Sequence, residues 1–279
     1  MRRVKLDGRG GGGAKAARRR AAVAAVAAAL LAGCASRPTP RDNLATAYKA
    51  LEGANPNYVD VANAADAYLK AQPTGPAAAD ALYLRGRALE QKGQRDLTSP
   101  QKDFADAYQY YSQALARGPR PGLAGLIHVG MGNVLYFQDR YSAAINELTN
   151  GLTTLERPDD RAWAQYRIGL CYQRLGHWAE ADRQFVAVQQ QYPNTPQAQR
   201  ARAHQGARAF YVQVATYAAP AAADAATAEL KRQGHPAQRF VDTSRNVQLV
   251  RVGPMNTYEA AQATKQKLWA KWRDAVVVP

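Results

Sequence analysis

The chain has 279 residues, enough for two modest domains. Apolar residues make up 47%, much of it alanine, a composition that favours long helices over a bulky aliphatic core; with five Phe against fifteen Tyr, amphipathic rings carry much of the packing. Of the formal charge of +15, residues 1–33 supply +7 and the rest +8, and no Lys/Arg cluster interleaved with aromatics stands out, which argues against nucleic acid as a partner.

The N-terminus has the form of a targeting segment. A basic region ends in Arg18-Arg19-Arg20 and runs into AAVAAVAAALLA, residues 21–32. These twelve apolar residues are too few for a membrane-spanning helix, which needs about 20, and suit a signal peptide. Leu31-Ala32-Gly33-Cys34 follows directly and resembles the bacterial lipobox. That resemblance implies diacylglyceryl transfer to Cys34, cleavage before it and N-acylation of the new terminus. Several acyl chains together hold a protein durably on a membrane. Ala35, rather than Asp, favours the outer membrane by analogy with lipoprotein sorting. Residues 34–41 are then a polar, Pro-broken tether. With Cys34 consumed, Cys171 has no disulfide partner and is expected to be a small buried thiol.

Residues 42–205 repeat. Ala107, Ala144 and Ala181 fall 37 residues apart, and so do Gly132 and Gly169 in MGNVLYFQDRY and IGLCYQRLGHW. Small residues at a fixed step let antiparallel helices approach closely. The pattern resembles the tetratricopeptide repeat (TPR). It predicts about four helical pairs, the earliest being NLATAYKALEGA with YVDVANAADAYLKAQP. The second pair carries about nine extra residues between Gly86 and its partner helix, read as a loop insertion. The turns resemble those of outer-membrane lipoproteins and of the periplasmic coordinator of the Tol–Pal system. A stacked solenoid offers a concave surface for a protein or peptide, and Asn133, Tyr136, Tyr166, Gln173 and Arg174 are the candidate lining residues.

From residue 206 the pattern changes to β-α-β-β-α-β, a ferredoxin-like split βαβ arrangement. FYVQVATY, AQRFVDT, NVQLVRV and AVVV read as strands, with Gly253-Pro254 breaking the third. Helices are expected from Ala219 to Arg232 and over 259–272, the second capped by Thr257. Two helices on one sheet face leave the other face open. The ordered motifs Val212-Gln213-Val214-Ala215-Thr216-Tyr217, the helix end at Leu230, Lys231 and Gly234, Arg251-Val252-Gly253-Pro254, and Glu259, Ala260 and Leu268 resemble the SPOR domain of bacterial cell-envelope proteins. That resemblance implies binding of peptidoglycan glycan strands, with preference for strands stripped of stem peptides, which are enriched at the division septum. The candidate glycan contacts are Tyr211, Gln213, Thr216, Val247, Leu249 and Arg251. Alternation puts Tyr211, Gln213 and Ala215 on one face of the first strand, and Val247, Leu249 and Arg251 on one face of the third. A sugar needs an aromatic platform for its ring, and planar donors for hydroxyl, acetamido or lactyl carboxylate groups; Tyr211, Gln213 and Arg251 offer these. The family's usual Gly and Arg are Ala215 and Leu249 here.

No H-E-x-x-H, G-x-S-x-G or phosphate-binding loop occurs, and the four histidines are scattered. The expectation is therefore a mainly α chain with a C-terminal α+β domain, binding rather than catalysing, without cofactor or metal. The competing expectation is a TPR scaffold without glycan binding, similar to the Tol–Pal coordinator or an accessory of outer-membrane assembly.

Overall fold

The computed structural model describes residues 39–52, 56–95 and 100–279. The signal segment, the lipobox and Cys34 lie outside the described residues. Four antiparallel hairpins build the helical body: α1 (Pro40–Glu52) with α2 (Tyr58–Ala71), α3 (Ala78–Arg95) with α4 (Pro100–Ala116), α5 (Pro121–Phe137) with α6 (Tyr141–Leu152), and α7 (Pro158–Arg174) with α8 (Trp178–Gln191). A final helix, α9 (Pro196–His204), closes the last hairpin. Helix α1 starts inside the expected tether because Thr39 caps it. The Asp42 amide donates to Thr39 Oγ1 (3.2 Å) and the Thr39 amide donates to the Asp42 carboxylate (2.9 Å), so two orphan N–H groups are satisfied reciprocally.

The expected loop insertion is helical instead. Arg95 ends α3 nine residues past Gly86, whereas α5 and α7 end five past Gly132 and Gly169. Pro100 starts α4 seven residues before Ala107, whereas α6 and α8 start three before Ala144 and Ala181. One extra turn on each helix thus absorbs the insertion. The lengthened turns are sealed where Phe104 packs over Gly93, with its Cε1 only 2.8 Å from where a Cβ would stand. Lys92 also pairs with the buried Asp103 at 2.8 Å.

Small residues decide how closely the hairpins approach. The ring of Tyr111 is fully buried between Gly86 and Gly130, and a Cβ on either would lie 2.5–2.6 Å from a ring carbon. The ring cannot swing aside, because its hydroxyl donates to the buried Glu90 carboxylate at 2.7 Å. Gly130→Ala is therefore expected to destabilise the chain by about 1–3 kcal/mol through overpacking. This should appear as a lower urea midpoint at unchanged slope; an unshifted midpoint contradicts this packing account.

The tail forms β1 (Phe210–Tyr217), α10 (Pro220–Arg232), β2 (Ala237–Asp242), β3 (Val247–Met255), α11 (Tyr258–Leu268) and β4 (Val276–Val278). The sheet is antiparallel, in the order β2-β3-β1-β4, which places β1 and β3 side by side at its centre. Two boundaries differ from expectation. Strand β3 runs on through Gly253-Pro254 to Met255, with a register slip between Phe210–Met255 and Val212–Val252. Gly253 occupies φ 141°, a region open to glycine, and its position against Tyr211 leaves no room for a Cβ. Helix α11 stops at Leu268 rather than 272, and Trp272 folds back onto the core. Ala223, Ala226 and Leu230 of α10, with Ala261 and Leu268 of α11, bury one sheet face against Val212, Val214, Val250 and Val252.

The sheet domain is docked on the last full hairpin. The Arg174 guanidinium lies 3.5 Å over the Tyr258 ring, which also meets Tyr141 and Phe210 edge-on at 6.2 and 5.6 Å. Trp178 packs on Phe210 at 4.9 Å, and Asp182 accepts from Arg208 and from the Gly206 amide, both at 2.8 Å. These contacts fix the connection at residues 205–209 from both sides. Tyr258→Ala removes the ring at the centre of this clasp and should speed tryptic cleavage after Arg202 and Arg208 several-fold, with little change in total helix signal. Unchanged cleavage contradicts the clasp.

Candidate functional site

The site begins with a defect in alternation. Gln213 pairs with Arg251, Ala215 with Val250 and Thr216 with Leu249, so Val214 and Ala215 together oppose one residue. This is a β-bulge. Before it, Tyr211 and Gln213 face away from the helices. After it, Thr216 faces away too, and Ala215 packs against the helix-side core. The expectation that Ala215 shares the open face is corrected: the bulge breaks the period of two. It needs no positive φ at Ala215, so alanine fits the bulge without strain.

On the open face Gln213 and Arg251 are neighbours across the two central strands. Arg251 Nε donates to Gln213 Oε1 at 3.2 Å, leaving the Gln213 amide N–H within 3.5 Å of Thr216 Oγ1. The guanidinium sits 5.2 Å over the Phe240 ring, and that ring meets Tyr211 edge-on at 5.6 Å. Burial lowers the pKa of Arg251 from its ordinary value, yet a guanidinium remains charged at physiological pH. The cluster is thus a cation over one aromatic ring, Phe240, which a second ring, Tyr211, meets edge-on, with an amide and a hydroxyl beside it. It offers ring faces for stacking and a fork of donors for oxygen.

Two expected contacts fall elsewhere. Leu249 is on the open face but only 5% exposed, flanked in register by Thr216 and Phe240; it fills space rather than presenting a surface. Val247 lies four residues down β3 from Arg251, about 13 Å along the strand, opposite Asp242. The sequence reading missed Phe240. Its signal was present in AQRFVDT, where Phe240 follows Gln238 at a spacing of two, but only the pairing with Leu249 shows that β2 reaches the site.

The helical residues separate in a similar way. Asn133 lines a groove of about 310 Å³ between α3, α5 and α7, with Tyr83, Arg87, Trp163 and Arg167. Its amide donates to Glu90, a carboxylate that also accepts from Arg87 (2.9 Å) and Gln94 (3.1 Å). Asn133 Oδ1 is buried without a partner among the described residues. Tyr136 and Arg174 are engaged in the clasp: Arg174 Nε donates to Tyr136 Oη at 3.4 Å while its guanidinium covers Tyr258. Tyr166 packs on Phe185 and His204, both at 5.9 Å. Gln173, 3% exposed, bonds the His204 ring (2.8 Å) and its carbonyl (3.2 Å). Burial lowers the His204 pKa to about 4, so the ring is neutral. The structure engages these four residues in packing and domain docking, because the sheet domain and α9 rest on this end of the solenoid. Cys171 is buried, and burial raises its pKa to about 12, which makes it an inert thiol.

A tetratricopeptide repeat matches residues 163–195, and a SPOR domain matches residues 206–279. No curated protein matches the chain. Among solved structures, a thermophilic TPR protein of Thermus thermophilus is similar at 15% identity and a TM-score of 0.48, covering 60% of this chain and 81% of that one. YrrB, a TPR protein with an unusual peptide-binding site, is similar at 21% identity and a TM-score of 0.42, covering 61% of this chain and 79% of that one. Both matched families are binding modules: the SPOR domain supports peptidoglycan binding, and the repeat supports protein interaction. Residues 206–279 thus match a SPOR domain in sequence and fold, and the body before them is built of TPR-like hairpins, with a match to the tetratricopeptide repeat at 163–195.

Proposed function

We propose that the chain is a non-catalytic envelope tether. Its open sheet face binds peptidoglycan glycan strands stripped of stem peptides, at the division septum. The groove of the helical body holds a protein or peptide partner, and acylated Cys34 anchors the chain to the periplasmic face of the outer membrane. The observation that carries the glycan reading is the contact of Gln213 with Arg251 on the face that the helices leave uncovered. Both groups are held by central strands, so little ordering entropy opposes binding. Phe240 and Tyr211 add the ring faces that a sugar requires. The groove lined by Tyr83, Asn133, Trp163 and Arg167 supports the protein or peptide partner.

Co-sedimentation with amidase-treated sacculi tests the glycan reading. Losing the neutral hydrogen bonds of Gln213 costs about 1 kcal/mol, and losing the charged ones of Arg251 about 1.5–3 kcal/mol. Gln213→Ala should therefore weaken binding roughly fivefold, and Arg251→Ala roughly ten- to a hundredfold. Expressed in cells, a Cys34→Ser chain should leave the membrane fraction. Sedimentation indifferent to both sheet variants favours the other reading, a TPR scaffold whose sheet domain only braces the helices; the buried Leu249, where the family carries arginine, is the observation on that side.

A further inference from the structure

Strand β4 is short. It pairs with β1 only at Tyr211, Val212 and Gln213, so the edge of β1 from Val214 to Thr216 has no strand on that side among the described residues. The chain approaching β4 rises beside this free edge and walls a groove of about 390 Å³, lined by Gln213, Thr216, Lys271, Trp272, Arg273 and Asp274 among others. This volume lies within the ~300–1,000 Å³ range of small-ligand clefts. Gln213 and Thr216 also belong to the open face, so groove and face are continuous. Lys271 and Arg273 are exposed. Lys271 makes a loose pair with Glu229 at 3.4 Å, and Arg273 forms no ion pair among the described residues. Asp274 is the one acid among the residues lining the groove.

The geometry points to a subsite for the N-acetylmuramyl unit, in which Lys271 and Arg273 read the free lactyl carboxylate. This inference rests on the glycan reading above and specifies how stripped strands are told from intact ones. In an intact strand the lactyl carboxyl is tied up in a neutral amide to the stem peptide. Hydrolysis of that amide returns the amine to the peptide and leaves a carboxylate on every second sugar. A groove with two cations against one acid favours the carboxylate over the amide, and a guanidinium meets a carboxylate through two parallel N–H donors. Those backbone groups of Val214–Thr216 that face the free edge, away from β3, can pair with an acetamido group as an added strand would. Stem peptides are rejected twice: their amide lacks the charge, and their bulk meets the wall at Lys271–Asp274.

The test uses the full-length chain and three polymers: amidase-stripped glycan strands, the same strands with lactyl carboxylates converted to carboxamides by carbodiimide and ammonia, and chitin oligomers. The wild-type chain should bind the stripped strands about five- to tenfold more tightly than the carboxamide form, with the gap closing as salt rises. Lys271→Gln with Arg273→Gln should close the gap at low salt by lowering stripped-strand binding to the level of the carboxamide form. Equal binding of the charged and carboxamide strands by the wild type overturns the subsite, as does discrimination that survives in the double variant or disappears only in Arg251→Gln. A wild-type chain that binds none of the three polymers overturns the glycan reading and the subsite together.

Discussion

One extra residue in a central strand governs the rest of the binding face. The bulge at Val214–Ala215 lets β1 keep Val212 and Val214 in the helix-packed core while bringing Gln213 and Thr216 to the opposite side of the sheet. Without it, strict alternation would turn Thr216 inward and hold Ala215 outward. The hydroxyl beside Gln213 would be lost, and a methyl would occupy the floor between Gln213 and the edge groove. The bulge also increases local twist, which suits a strand whose outer half runs free of β4. Face composition, edge access and the proximity of Gln213 to Arg251 all depend on that register.

Aromatic rings and cations are used twice for different ends. On the open face, Arg251 sits over Phe240 and beside Tyr211, with its donors turned to a place where oxygen can arrive. Between the domains, Arg174 covers Tyr258 at 3.5 Å and commits its Nε donor to Tyr136. The same chemistry lies on the uncovered sheet face in the first setting and braces two domains in the second. The clasp packs the sheet domain against the helical body, so the groove and the open sheet face belong to units in direct contact rather than joined by a bare linker.

Much of the fold was legible because its signals are local. The 37-residue step of Ala144 to Ala181 and Gly132 to Gly169 announces the hairpins, and the alternation in FYVQVATY announces β1. Gln213 and Arg251 could be placed side by side because both sit on central strands whose order follows from the β-α-β-β-α-β sequence. What escaped is non-local. The nine extra residues after Gly86 look like a loop until Phe104 is seen packing over Gly93. Tyr136, Gln173 and Arg174 read as surface on an isolated repeat, but α9 covers Gln173, and Tyr136 and Arg174 are engaged at the contact with Tyr258. Phe240 was invisible as a site residue because nothing in β2 alone tells which of its faces meets Tyr211.

The most direct measurement is amide and side-chain chemical-shift mapping of the labelled chain during titration with stripped glycan fragments. Shifts concentrated at Gln213, Thr216, Phe240 and Arg251, with Ala226 and Leu230 on the buried side of α10 silent, are the predicted result. Shifts centred on α10 and α11, or no shift anywhere in residues 206–279 at saturating glycan, contradict a sheet face built for sugar.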